Sequence, residues 1–292
     1  MGILKIEGLK KAFNQKTVIE ALSLEVAQNE VYGFIGSNGA GKTTTMKMVL
    51  GLLKSDGGEI HVCGEEVRFG DTPTNRHVGY LPDVPEFYTY MNAEEYLKLC
   101  ADITRMEKTE QRERIDELLK LVGLRGEKSR IRNYSRGMKQ RLGIAQALIH
   151  RPKLLICDEP TSALDPKGRM EILKILKEIT KETTVIFSTH ILADVERICD
   201  RVGILYDGKI VKEIDMSRGS LGEKGIVVEL DQEAYGKVAP LLEMHHAGGS
   251  EYIIENHTLR EIYNVLHAHE VYPERIVKER KSLEDVYLEV TT

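Results

Sequence analysis

The residues from Gly36 to Thr44, Gly36-Ser37-Asn38-Gly39-Ala40-Gly41-Lys42-Thr43-Thr44, match the pattern G-x-x-x-x-G-K-[ST] at every fixed position. Such a stretch can hold the phosphates of ATP or GTP. Its glycines let the backbone turn so that successive amide N–H groups converge on phosphate oxygens, and a following helix adds the partial positive charge of its N-terminus. Lys42 then reaches the β- and γ-phosphates, the Thr43 hydroxyl goes to Mg²⁺, and Thr44 lies against the α-phosphate. Glycine-rich turns before helices also serve as plain connectors. Here the full match sits between an apolar run, Val31 to Ile35, that reads as a buried strand and a segment from Thr43 to Leu53 that reads as a helix, which favours the nucleotide.

Three further groups lie at the ends of apolar runs. Leu154-Leu155-Ile156-Cys157 leads into Asp158 and Glu159, and Thr184 to Thr189 leads into His190. A continuous apolar run of this length reads as a buried parallel strand, whose carboxyl end is where α/β proteins place their ligands. In a protein with a phosphate loop, an acid in Asp158's position anchors Mg²⁺. Glu159 beside it can polarise an attacking water, and His190 can contact the γ-phosphate. Alone, each is a common feature; their joint order with Lys42 is the specific signal.

The elements that position these groups follow from pattern and punctuation. Residues 3 to 31 alternate and break at Asn14-Gln15-Lys16, so the start is β-rich. Phe13 beside that turn serves equally as ordinary core or as a platform for an adenine ring. Two helices follow the strand ending Val78-Gly79-Tyr80-Leu81: one capped by Asn92 with Glu95 in the capping-box position, the other carrying Ile115, Leu118, Leu119 and Val122 and stopping at Gly123. A further helix starts near Asn133 and ends before Pro152. Asp165-Pro166 opens the helix through Met170 to Ile179, and Asp207-Gly208 turns a hairpin within 202–211. Past Ser217 the reading changes to short strands at 226–230, 252–254 and 275–277, interleaved with helices at 232–244, 258–269 and 282–290, the last two opening on capping boxes, Thr258 with Glu261 and Ser282 with Asp285. The fold expected is α/β: a phosphate-loop domain over 1–216 with a helical insert at about 87–150, then a small α+β domain over 217–292.

Composition narrows the function. The 292 residues are 41% hydrophobic and 30% charged, with a net charge of −5, which offers no electrostatic grip on nucleic acid. No window approaches the run of about 18 apolar residues that spans a bilayer, and an acid at Glu7 interrupts any secretion signal, so the chain is expected in the cytosol. Cys63, Cys100, Cys157 and Cys199 form no C-x-x-C pair and read as reduced, buried thiols. His245, His246, His257, His267 and His269 gather near the end, but without acid or Cys partners at ligand spacing they read as surface histidines.

Taken together, residues 1 to about 215 resemble the ATP-binding subunit of an ABC transporter, of the bacterial drug, peptide or lipid exporter type. Five motifs occur in the family's order: the phosphate loop with Lys42, Tyr134-Ser135-Arg136-Gly137-Met138 in place of the L-S-G-G-Q signature, the strand Leu154 to Glu159, the loop Ser162-Ala163-Leu164-Asp165, and His190. The resemblance implies ATP and Mg²⁺ as ligands and makes Phe13 the adenine-stacking aromatic. It further implies a second copy or a related ATPase subunit, whose ATP is met by Ser135 and Gly137, and a membrane-spanning permease that meets the helical insert. The chain would then sit on the inner face of the cell membrane. Two departures from the family pattern matter. In the signature Arg136 replaces a glycine and Met138 a glutamine, although Ser135 and Gly137 remain, and Asp83 replaces a glutamine that bridges Mg²⁺, the attacking water and the permease contact. An acid there can still ligate Mg²⁺ or accept from water. The segment Ser282 to Leu288 resembles the end of exporter ATPases. The rival is a soluble relative acting on ribosomes or DNA. Such proteins usually carry two ATPase halves or a long coiled-coil insert, and this sequence has neither.

Overall fold

Alternating residues build the first sheet. In the computed structural model, which describes residues 2–70, 72–216 and 221–292, strands β1 (Leu4–Phe13) and β2 (Lys16–Val26) pair antiparallel across a turn in which Asn14 takes a left-handed φ of 54°. Strand β3 (Val31–Ile35) is buried at every position, as a run without polar alternation requires. Helix α1 (Lys42–Val49) follows the phosphate loop and stops short of the expected Leu53. Gly51 turns left-handed there, and its amide bonds back to the Met48 carbonyl. Strands β4 (Gly57–Val62) and β5 (Glu65–Glu66) complete a sheet ordered β2-β1-β4-β5.

The helical insert comes next. After β6 (Val78–Leu81) run α2 (Ala93–Ile103), α3 (Lys108–Leu121) and α4 (Arg136–Leu148). The expected capping box is present: Asn92 Oδ1 accepts from the Glu95 amide at 2.9 Å and Glu95 Oε2 from the Asn92 amide at 3.0 Å. Ser135 caps α4, its Oγ accepting from the Met138 amide at 3.2 Å.

The chain then returns to the central sheet through β7 (Leu154–Asp158), α5 (Pro166–Ile179), β8 (Thr184–Thr189), α6 (Leu192–Ile198), β9 (Arg201–Tyr206) and β10 (Lys209–Asp215). Helix α5 begins at Pro166, with Asp165 Oδ1 accepting from the Gly168 amide at 3.2 Å. The sequence reading has no counterpart for α6, which is short and starts at Ile191 with no side-chain cap to announce it. The sheet order is β10-β9-β3-β8-β7-β6, parallel except for the β9–β10 hairpin. Both sheets and α1 share one core, in which Leu4, Ile6 and Leu22 meet Phe34, Met46, Met48, Leu154 and Ile186.

This much forms one compact unit, 1–215; a second spans 216–292. The expected boundary at Ser217 falls on 217–220, outside the described residues. The second unit runs β11 (Glu223–Glu229), α7 (Gln232–Leu242), β12 (Met244–Gly248), β13 (Glu251–Ile254), α8 (Leu259–Ala268), β14 (Arg275–Arg280) and α9 (Leu283–Thr291), with an antiparallel sheet ordered β12-β13-β11-β14. Its first six elements make a split βαβ arrangement. The capping boxes at Thr258–Glu261 and Ser282–Asp285 both form. Strand β12 corrects the sequence reading, which carried the preceding helix to Met244. Glu243 turns left-handed at φ 46° and releases the chain into a strand holding His245 and His246. Among the described residues, no three His, Cys, Asp or Glu side chains group as a metal cage; His245, His246, His267 and His269 are exposed and His257 is half-buried.

Candidate functional site

Strand register decides where the chemistry lies. Ile35 stands beside Thr189 and Ile204, Asp158 beside Ser188, and Leu81 beside Cys157. The residues that follow these strand ends therefore leave the parallel sheet at one edge: Gly36 and its loop, Asp83, Glu159 and His190. That is the edge at which open α/β sheets bind ligands.

The phosphate loop is shaped by its glycines in two ways. Gly41 has φ 110°, and a Cβ there would meet Ile19 Cδ1 at 2.4 Å, so both conformation and space exclude a side chain. Gly36 has no such φ; it is needed for close approach, since a Cβ would lie 2.5 Å from the Leu205 carbonyl oxygen. Ser37, Asn38 and Gly39 are exposed at the loop's crown, with Ala40 buried beneath. Lys42 is buried. Its Nζ donates to the carbonyls of Gly36 at 2.7 Å and Ser37 at 3.3 Å and stands 3.6 Å from Glu159 Oε1. Thr43, exposed on the first turn of α1, donates from Oγ1 to Asp158 Oδ2 at 2.8 Å, while Thr44 is half-buried behind it.

Asp158 is fixed from its other side by Ser188, whose Oγ donates to Oδ1 at 2.6 Å. Burial, with the neighbouring Asp158 charge as the lesser cause, pushes the Cys157 thiol well above its usual range, so it stays a neutral wall beneath the site. The same two causes push the Tyr80 phenol up to about 12. Glu159 is only 15% exposed and takes a left-handed φ of 49°, uncommon for a residue with a side chain. Its amide bonds to the Ser188 carbonyl at 3.1 Å, and its Oε2 lies 3.0 Å from His190 Nδ1. One carboxylate thus spans an ammonium and an imidazole.

Sequence reasoning missed the supports of this turn. Ser188 is a polar residue inside an apolar strand and, being buried, needs a partner; that was the available signal. Thr161, fully buried, donates to Asp194 Oδ2 at 2.7 Å, and Arg169 reaches Asp194 Oδ1 at 2.7 Å, tying α5 and α6 to the Glu159 turn. We expect Asp194→Ala to lower the unfolding free energy of the chain by about 2 kcal/mol, because it strands a buried hydroxyl and frees a guanidinium. Urea denaturation followed by circular dichroism reads this directly, and an unchanged midpoint would remove Asp194 from the scaffold.

Among the described residues, four expected site residues, Phe13, Ser135, Gly137 and Asp83, make no hydrogen bond or ion pair with Lys42. Phe13 is 45% exposed, with Lys11 Nζ 5.4 Å from its ring centroid, which rules out the ordinary-core reading. Ser135 and Gly137 sit at the N-terminus of α4, and among the described residues no hydrogen bond joins Ser135 to the phosphate loop. A Cβ at Gly137 would meet only Leu164 Cδ2, at 4.0 Å, so nothing among the described residues demands glycine there. Asp83 is drawn toward α4 and Ser162, as described below.

The chain's likeness to known proteins agrees with this geometry. The ABC transporter family profile matches residues 19–162. Over 295 residues the chain is 35% identical to an uncharacterized ABC transporter ATP-binding protein, YhcH, of Bacillus subtilis (strain 168), across 99% of this chain and 96% of that one. It is 39% identical over 247 residues to the bacitracin transport ATP-binding protein BcrA of Bacillus licheniformis, across 83% and 79% of the two chains. Among solved structures, cbiO1 from Clostridium perfringens, part of the ABC transporter complex cbiONQ, superposes with a TM-score of 0.69 at 26% identity, covering 83% of this chain and 96% of that one. A phosphate loop, an acid pair and a histidine meeting at one sheet edge, in a chain that aligns over 99% of its length with one such relative, make this an ATP-hydrolysing, ATP-binding subunit of the ABC transporter family.

Proposed function

We propose that this subunit binds ATP with Mg²⁺ at the phosphate loop, hydrolyses it by base-assisted attack of water, and drives export through a separate membrane-spanning permease. It does so paired head to tail with a second copy of itself or a related ATPase subunit. The observation that carries the reading is the Glu159 carboxylate held 3.6 Å from Lys42 and 3.0 Å from His190. In this reading Glu159 accepts the water's proton, His190 orients Glu159 and reaches the γ-phosphate, and Lys42 bonds the β- and γ-phosphates. Backbone amides from Gly36 through Thr44 cradle the phosphates, and exposed Phe13 stacks on the adenine.

Thr43 and Asp158 fit Mg²⁺: their oxygens are 2.8 Å apart, and Mg²⁺ takes one or two carboxylates together with substrate phosphates rather than an all-protein cage. Bound there, the ion would supply neutralisation of the phosphate charge. Asp83 adds an oxygen that can ligate Mg²⁺ or accept from the attacking water. Ser135 and Gly137 face the γ-phosphate of the opposite subunit, which accounts for a glycine that no contact among the described residues requires.

Transport is supported by the bacitracin transport relative, and export as its direction by the likeness of Ser282–Leu288 to exporter ATPases. No described helix is long and apolar enough to cross a membrane; the permease is a second chain in this reading, and the subunit works against the cytoplasmic face. Tagged full-length protein extracted from membranes is expected to carry a multi-span protein in near-equal amount and to release phosphate from ATP only with Mg²⁺. Recovery with ribosomes or DNA in place of a membrane protein would overturn the permease partnership.

A further inference from the structure

Two of the positions that depart from the family pattern, Asp83 and Arg136, 53 residues apart in sequence, meet in space. Asp83 Oδ1 accepts from Ser162 Oγ at 2.5 Å and lies 3.5 Å from Arg136 Nη2; the same Arg136 nitrogen donates to Ser162 Oγ at 3.3 Å. One turn further along α4, on the same face, Gln140 Nε2 donates to the Asp83 carbonyl at 3.2 Å. Gln140 is 1% exposed, so this bond is made inside the protein. Ser162 in turn belongs to the catalytic turn, since its amide bonds to the Glu159 carbonyl at 3.1 Å. Three segments distant in sequence therefore share one junction: the loop after β6, the first turn of α4, and the turn that carries Glu159.

We infer that Arg136 is a positioning residue, which through Asp83 and Ser162 locks the Glu159 turn to the N-terminus of α4. The inference rests on the proposed roles of Glu159 and of the α4 N-terminus. As an isolated ion pair the Arg136–Asp83 contact contributes little, since both side chains are 47% exposed and solvent screens them. Its effect is geometric. Arg136 adds a second donor to an acceptor already engaged by Ser162, and a displacement of about 1 Å at a reacting group can cost up to about a hundredfold in rate. Because both contacts come from one nitrogen, a lysine ammonium can occupy the same place, whereas alanine cannot.

The test is a double-substitution cycle on the full-length protein, read as kcat and KM for ATP. Arg136→Ala and Ser162→Ala are each expected to lower kcat by about tenfold with KM changed less than twofold, because the water's base is displaced while the phosphate grip remains. The double variant should be no slower than the slower single one, because both side chains hold the same carboxylate. Arg136→Lys should keep kcat within about twofold and show that the site stays folded. Multiplying losses in the double variant would overturn the inference. So would a raised KM with loss of the ATP-driven dimer in a Glu159→Gln background, which would mean that Arg136 touches the opposite subunit's nucleotide. Absence of hydrolysis by the unsubstituted protein would instead remove the ATPase reading on which the inference stands.

Discussion

Glu159→Gln should bind ATP and leave it uncleaved, with turnover reduced by about 10²–10⁴-fold, the usual worth of a general base. Glutamine has the same length, tolerates the same left-handed backbone, and keeps a carbonyl oxygen at the position now 3.6 Å from Lys42. What it lacks is an anionic oxygen to take the water's proton. Asp158, Thr43 and Ser188 are untouched by the change, so metal and phosphate binding persist. In the proposed head-to-tail pair, in which Ser135 and Gly137 of each copy meet the other's γ-phosphate, blocked cleavage should let the variant accumulate as an ATP- and Mg²⁺-dependent dimer. Asp158→Asn, which keeps Glu159 but weakens the metal's anchor, should dimerise poorly. Size-exclusion chromatography with light scattering separates the two. A Glu159→Gln protein that remains monomeric in saturating ATP and Mg²⁺ would count against a self-complementary pair and point to a related subunit as the second half.

A comparable loss is expected of Lys42→Ala, by a different route. The ammonium is buried and makes two bonds to its own loop, to Gly36 and Ser37. Bonds to a charged group are worth about 1.5–3 kcal/mol each, so removing the ammonium should weaken ATP by roughly a hundredfold or more. The loop also loses its internal tie. The variant should therefore melt slightly earlier even without nucleotide, and ATP should raise its melting temperature far less than that of the unsubstituted protein. Fluorescent-nucleotide titration and thermal melts read the two effects separately. Wild-type hydrolysis by a folded Lys42→Ala protein would dismiss the site assignment.

What could be read from the sequence was what local rules control. Predominantly apolar runs gave β3, β7 and β8, and capping boxes gave the starts of α2, α8 and α9, because those signals act over a few residues. The fixed spacing of the phosphate loop named Lys42 and Thr43 without any knowledge of their neighbours. Strand ends alone placed Asp158, Glu159 and His190 on one edge, since parallel strands must end together. Contacts across the fold could not be read. That Ser188 supports Asp158, that Asp194 holds Thr161, and that Arg136 meets Asp83 all depend on which strands and helices lie side by side, which no pairwise spacing encodes. Helix α6 and strand β12 were missed for a local reason: one begins without a capping side chain, and the other starts at a left-handed Glu243 rather than at a glycine or proline.

The order of strands in the central sheet also sets a timetable for synthesis. Strand β3, which delivers the phosphate loop, emerges early, yet its neighbours β8 and β9 begin at Thr184 and Arg201, more than 150 residues later. The β1–β2 hairpin and the capped helices of the insert close over short distances and can form as they leave the ribosome. The phosphate loop cannot, because its strand has no parallel partner until most of the first unit has been made. For much of its translation the nascent chain carries an apolar strand with two open edges, a species prone to self-association and to chaperone capture.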